Sequence, residues 1–285
     1  MMLNTNKNIL IVGLGLMGGS YALGFKKLGF KISAIARRQE TIDYAIDNKI
    51  IDEGFITPDK DALGKADIIV FGLYPQVFIQ WIKDNQQHFK SGALLTDVTG
   101  VKGSVVYEVQ ASLRDDVEFI AAHPMAGKEV YGVENADDSI FHGANYIVTP
   151  TEKNTPEAIE DCLEIGRLLG FANVSVLTPE KHDEMIGFVS QLTHCIAVTL
   201  MNCCDDENLK NYTGDSFRDL TRIARINDKM WSELFIMNKP ALLHQMHRFE
   251  DQFDRLKAAL LNGDEQIMRE MMQISTERRA LFDKK

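Results

Sequence analysis

At 285 residues, with 45% hydrophobic and 25% charged side chains, the chain has the make-up of a globular protein with room for two domains. A formal net charge of −10 speaks against nucleic acid or an anionic membrane as the main partner, while leaving room for a local basic pocket that takes a small anion. No apolar stretch approaches the roughly 20 residues of a membrane span, residues 1–7 lack the apolar core of a signal peptide, and Cys162, Cys195, Cys203 and Cys204 have neither zinc-site nor disulfide-framework spacing. A cytoplasmic protein with reduced thiols and no metal site is expected.

Residues 9–12 are an apolar, strand-like run that passes straight into Gly13-Leu14-Gly15-Leu16-Met17-Gly18, and residues 17–28 continue amphipathically. Strand, GxGxxG, then helix is a dinucleotide-binding signature. Gly13 allows a sharp turn, Gly15 lets backbone approach a pyrophosphate, Gly18 lets helix pack on strand, and the N–H groups at Leu16 and Met17 face the phosphates. Residues 31–36 read as a second strand and 40–48 as the next helix, which completes a βαβ unit. The acidic residue that holds the ribose of NAD at this strand end is missing, and Ala36-Arg37-Arg38 stands there. Two guanidinium groups suit the 2′-phosphate of NADP, with NAD still possible; the alternative is a pair of solvated arginines.

Residues 66–73 read as a buried parallel strand, 76–89 as a helix, and 92–96 and 118–122 as further strands. In an open α/β sheet the ligand crevice lies past the carboxyl ends of the strands. Two stretches fall there: Asp97 to Lys102, which includes Thr99, and His123 to Glu129. His123 is the candidate for chemistry, since an imidazole beside a nicotinamide can take the proton of an alcohol as hydride leaves the same carbon. A lone histidine is more often structural. A strand at 145–149, a helix at 155–169 and a short strand at 174–177 close this part.

From Pro179 onward the texture is amphipathic helix without strand pattern. The fold class is therefore α/β, an N-terminal Rossmann-type doubly wound sheet over residues 1–177 followed by an all-helical domain over 178–285. Residues 182–201 form a largely apolar helix that carries His182, Ser190, Gln191 and His194, and the spacing of four puts Ser190 and His194 on one face. Over 233–261 the residues Phe235, Leu242, Met246, Phe249, Phe253, Leu256 and Leu260 form a stripe of the kind that serves as core or partner seam, and Pro240 marks a kink or a helix start. Such long apolar helices in a small domain favour a homodimer. Arg218 and Arg222, four apart, project from one helical face as a clamp for a carboxylate, or else pair with acids such as Asp215 or Asp219.

The order of motifs, GLGLMGGS at 13–20, TDVTGVK at 96–102, HPMAG at 123–127, TPEKHD at 178–183, SQLTH at 190–194 and FRDLTRIA at 217–224, resembles the prephenate and arogenate dehydrogenase family of tyrosine biosynthesis. The resemblance runs through nearly the whole chain. It implies NAD(P)-dependent oxidative decarboxylation by a Rossmann domain and a dimerising helical domain, with prephenate or arogenate as substrate. It makes His123 the catalytic histidine on the substrate 4-hydroxyl and Arg222 the principal carboxylate ligand, with Arg218, Glu129, His182 and His194 in the surrounding polar network. Two departures stand out. Gly100 replaces a serine that the family commonly has before Val-Lys, leaving Thr99 to take its place, and Gln191 replaces the first histidine of the family's SHLPH. The chain begins at the Rossmann strand and ends at Lys285, with no room for the chorismate mutase or regulatory domain fused to some relatives. Other readings are a 3-hydroxyacid dehydrogenase, for which a lysine base on the first helix of the second domain is lacking, and a catalytically silent NADP-binding sensor, against which His123 and Arg222 speak.

Overall fold

The computed structural model of the chain describes residues 3–128 and 130–282. The first half alternates strand and helix: β1 (Asn8–Val12), α1 (Leu16–Lys27), β2 (Lys31–Ile35), α2 (Gln39–Asp47), β3 (Glu53–Phe55), α3 (Lys60–Lys65), β4 (Ile68–Phe71), α4 (Pro75–Asn85), β5 (Leu94–Asp97), α5 (Gly103–Ser112) and β6 (Glu118–Phe119). All six strands pair in parallel in the order β3-β2-β1-β4-β5-β6. The order reverses between β1 and β4, and there a crevice opens beyond the strand ends. β4 and β5 are buried throughout, and β1 all but its first residue, because helices cover both faces. The short elements β3 and α3, and the helix α5, have too few periodic residues to stand out in the sequence.

One expected strand, 118–122, is two. The last parallel ladder bond runs from the Ile120 N–H to the Leu95 carbonyl (3.0 Å). The chain then turns into β7 (Ala121–Met125), antiparallel to β8 (Asn145–Thr149), which is itself parallel to β9 (Asn173–Val176) across α6 (Pro156–Leu168). The switch has a local cause: Oδ1 of Asp97, at the end of β5, takes the Ala122 N–H (3.1 Å) in place of a ladder carbonyl. His123 therefore lies inside a strand of the second sheet, paired with Ile147, rather than just beyond a strand of the first.

Beyond β9 the regular elements among the described residues are helical: α7 (Pro179–Ile186), a π turn over Gly187–Leu192, α8 (Thr193–Asn202), α9 (Asp215–Thr221), α10 (Asp228–Met237), α11 (Lys239–Leu261) and α12 (Glu265–Arg279). α7 starts with Pro179 in its first turn and Thr178 accepting the Lys181 N–H on its hydroxyl (3.2 Å). Contrary to expectation, the rod from Pro179 to Asn202 is long and apolar enough, by length and composition, to cross a membrane. Its buried side, however, carries His182, Asp183 and Gln191. Pro240 sits in the first turn of α11, so it marks a helix start. The stripe is divided: Leu242 is core, while Phe253 and Leu260 are 59% and 68% exposed.

Candidate active site

At the switch point three glycines crowd one another. Gly13 has φ +95°, and a Cβ there would lie 2.5 Å from the Gly72 carbonyl oxygen; a Cβ on Gly18 would lie 2.0 Å from that of Gly13. Around Gly15 a Cβ would meet nothing within 4 Å. Its side is open space in front of the N-terminus of α1, whose first N–H groups, at Leu16 and Met17, have no intrahelical acceptor. A pyrophosphate fits that cradle. Gly72, which closes it from β4, escaped the sequence reading because it lies outside the GxGxxG. At the end of β2, Ala36 is buried, and Arg37 and Arg38 are exposed without hydrogen bond or ion pair among the described residues.

Beyond β5 a buried polar knot ties the two sheets together. Lys102 and Asp97 are both fully buried and paired at 2.7 Å; the Lys102 ammonium also donates to the Ala122 carbonyl (2.6 Å) and the Thr99 hydroxyl (3.2 Å). Burial pushes the lysine pKa down, and the Asp97 carboxylate opposes the shift. Thr99 gives its hydroxyl to Asp97 and sits 3.0 Å from the Val101 carbonyl. Two expectations change here. Thr99 points into the knot and makes no hydrogen bond to His123, so it does not take the serine's place. Asp97, with both oxygens engaged inside the fold, braces the crevice wall instead of reaching into it.

His123 stands on the other side of this knot. Its Nδ1 is 2.8 Å from Nε2 of His182, whose Nδ1 is 2.8 Å from Oδ1 of Asp183. The Asp183 carboxylate also accepts the N–H groups of Lys102 and Gly103, both at 2.8 Å, at the start of α5. Nε2 of His123 has no hydrogen bond among the described residues and faces the Gly100 turn, 3.8 Å from where a Cβ would be. Enclosure first, then His182 and the Lys102 cation, hold the His123 pKa well below the ordinary histidine value, which keeps the ring neutral. His182 is also pushed down, chiefly by burial. It was expected beside the substrate; the structure puts it wholly inside the protein, behind His123, with both ring nitrogens engaged. Asp183 went unnoticed in the sequence, although its place next to His182 was the available signal.

On the helical side, the buried Gln191 and Asn238 hold the π turn against the α10–α11 junction. Asn238 donates to the Gln191 side-chain oxygen (2.7 Å) and the Asp183 carbonyl (2.9 Å), and Gln191 donates to the Leu234 carbonyl (3.2 Å). His194 donates from Nδ1 to the Ser190 carbonyl (2.9 Å) and stacks on Trp231, ring centroids 3.7 Å apart. Arg222 does not continue the helix of Arg218: the Thr221 hydroxyl bonds back to the Phe217 carbonyl (2.6 Å), α9 stops, and Arg222 opens a 3-10 turn packed on α8. Arg218 pairs with Asp215 at 3.0 Å, the alternative left open above. Glu129 lies outside the described residues. A cleft of about 610 Å³, lined by Val130, Tyr131, Glu134, Asn135, Arg225 and Ile226, separates the loop after β7 from the segment after Arg222. Arg225 had drawn no notice in the sequence.

Glycines that leave room for a dinucleotide, together with a neutral histidine able to take a proton, are the parts of a nicotinamide-dependent oxidoreductase. Comparison with known proteins narrows the class. The family described as prephenate dehydrogenase, nucleotide-binding domain, matches residues 21–175, and that described as prephenate dehydrogenase, dimerization domain, matches 178–274. The prephenate dehydrogenase of Bacillus subtilis is 31% identical over 90% of this chain and 71% of its own. Among solved structures, prephenate dehydrogenase from A. aeolicus in complex with hydroxyphenyl propionate and NAD+ superposes with TM-score 0.88 at 30% identity, over 99% of this chain and 100% of that one. Synechocystis arogenate dehydrogenase gives 0.84 at 25% identity, over 97% and 100%. The chain belongs to the prephenate dehydrogenase family.

Proposed function

We propose that the chain converts prephenate to 4-hydroxyphenylpyruvate and CO2, with NADP as the preferred hydride acceptor over NAD. The observation that carries this reading is His123, whose Nδ1 is taken by His182 while Nε2 faces the crevice at Gly100, where a hydroxyl proton can be received. Gly13, Gly15, Gly18 and the start of α1 would hold the dinucleotide, and its nicotinamide would accept the hydride from the ring carbon that bears the hydroxyl. The hydroxyl proton moves to Nε2 of His123, the C–O bond becomes a carbonyl, and the electron pair of the breaking C–CO2 bond enters the ring. Return of the proton from His123 leaves a phenol. Arg222, in the 3-10 turn packed on α8, takes a substrate carboxylate, with His194 of α8 in support and Arg225 lining the cleft; Arg218, engaged with Asp215, acts at longer range. NADP is favoured by Arg37 and Arg38, exposed at the end of β2 and unpaired among the described residues.

A second reading, arogenate in place of prephenate, is supported by the likeness to the Synechocystis enzyme. The exposed apolar side chains of α11 and α12, among them Phe249, Phe253, Leu260 and Met272, support a homodimer through the helical domain. The test is the absorbance of reduced cofactor with prephenate, arogenate or a panel of 3-hydroxyacids. Prephenate turnover is expected, and His123→Asn should lower it by about 10²–10⁴-fold while cofactor still binds. Turnover of hydroxyacids alone, or an unimpaired His123→Asn, would overturn the reading.

A further inference from the structure

We propose that Asp183, acting through His182, fixes the tautomer of His123 so that Nε2 is the hydrogen-bond acceptor; this rests on the reaction proposed above. The chain of donors and acceptors has one consistent reading. Both oxygens of Asp183 receive backbone N–H groups, Oδ1 from Lys102 and Oδ2 from Gly103, at the N-terminus of α5. A carboxylate so placed only accepts, so the hydrogen between Asp183 and His182 belongs to Nδ1 of His182. A neutral imidazole carries a single N–H, so Nε2 of His182 accepts, and Nδ1 of His123 is the donor across the 2.8 Å contact. The lone pair of His123 is thereby left on Nε2, toward Gly100. Reversal of the chain would put the hydrogen on Nε2, where it could not receive the substrate proton. Asp183 is a positioning residue: it touches neither substrate nor cofactor, and the proton stops at His123.

The anchor crosses between the two halves of the chain. Asp183 sits on the first helix of the helical part, while the amides that hold it start a helix of the parallel sheet. The other two acids of α7 are engaged at the surface, Glu184 with Lys181 and Glu180 with the Tyr107 hydroxyl.

The test uses the full-length protein. In the wild type, ring-nitrogen NMR should show His123 protonated at Nδ1 and bare at Nε2. Asp183→Asn, which puts an amide N–H₂ among donors, should shift His123 toward the other tautomer and lower kcat by about 100-fold or more, by the logic of a misoriented catalytic histidine, with KM and cofactor affinity within about twofold. A second pair decides the matter if that variant does not fold. His182→Gln can still accept from Nδ1 of His123 and should retain about tenfold more kcat than His182→Leu, which cannot. A hydrogen found on Nε2 in the wild type, a folded Asp183→Asn with normal kcat, or equal losses in the His182 pair would overturn the proposal. If the NMR result holds while no cyclohexadienol is oxidised, the relay stands and the assigned reaction falls.

Discussion

Gly100 lies where a side chain would touch the working edge of His123. A Cβ there would find Leu234 at 3.7 Å and His123 Nε2 at 3.8 Å, ordinary contacts, and the backbone is not in the left-handed region. A serine hydroxyl thus fits without strain and can share the proton between substrate and histidine. A hydrogen bond of this kind is worth roughly 0.5–1.5 kcal/mol, so Gly100→Ser should raise kcat/KM about two- to tenfold; a fall in steady-state kinetics would count against the assigned position of the substrate. The cofactor preference proposed above rests on Arg37 and Arg38. Each charge-assisted contact to a 2′-phosphate contributes roughly 1.5–3 kcal/mol, which discounted for solvent exposure gives a preference for NADP of about ten- to a hundredfold. Ala36→Asp combined with Arg37→Asn should reverse it. The measurement is kcat/KM for both cofactors at one ionic strength, and a wild-type preference for NAD would reduce the arginines to solvated surface.

Among elements, the junction of α10 and α11 bears on the site from a distance. Asn238 is buried and spends both of its amide hydrogens, on Asp183 and on Gln191. Asn238→Leu would leave the buried Gln191 side-chain oxygen without a donor, while the Asp183 carbonyl keeps the Gly187 N–H, and should cost roughly 1–3 kcal/mol in urea unfolding; a loss below about 1 kcal/mol would mean the contacts are incidental. This junction also shows what could be read from sequence. Pro240 announced a kink or a helix start because its ring is not accommodated in a straight helix interior, a purely local effect. The cradle of Gly13, Gly15 and Gly18 was legible for the same reason, being a local run with its strand and helix attached. The break at Ile120 was not, since an apolar run looks the same in either sheet and only the Asp97 side chain, elsewhere in the chain, diverts it. Nor was the place of His182: both of its partners, His123 and Asp183, are fixed by the meeting of β7, α5 and α7. Arg218 and Arg222 shared a face on paper, but α9 ends at Thr221, between them.

At the scale of the molecule, the parallel sheet does not cover itself. Ile9 and Ile11 of β1, with Tyr21 and Phe25 of α1, pack in one continuous core with Phe141, Tyr146, Val148, Cys162 and Ile165, all of which come after the switch at Ile120. The three-stranded sheet and α6 are thus the missing layer on one side of the cofactor sheet. A gene fragment cut where the parallel ladder ends should therefore not yield a portable dinucleotide-binding module: residues 1–119 should aggregate or stay unfolded by circular dichroism, whereas 1–177 should fold and bind nicotinamide cofactor. A well-folded, cofactor-binding 1–119 would contradict that layering. The place at which this chain is best recombined or grafted is then after β9: that cut leaves this core whole, and what it parts is the Leu234 contact with the core on the other face of the sheet and the Asp183 anchor on α5.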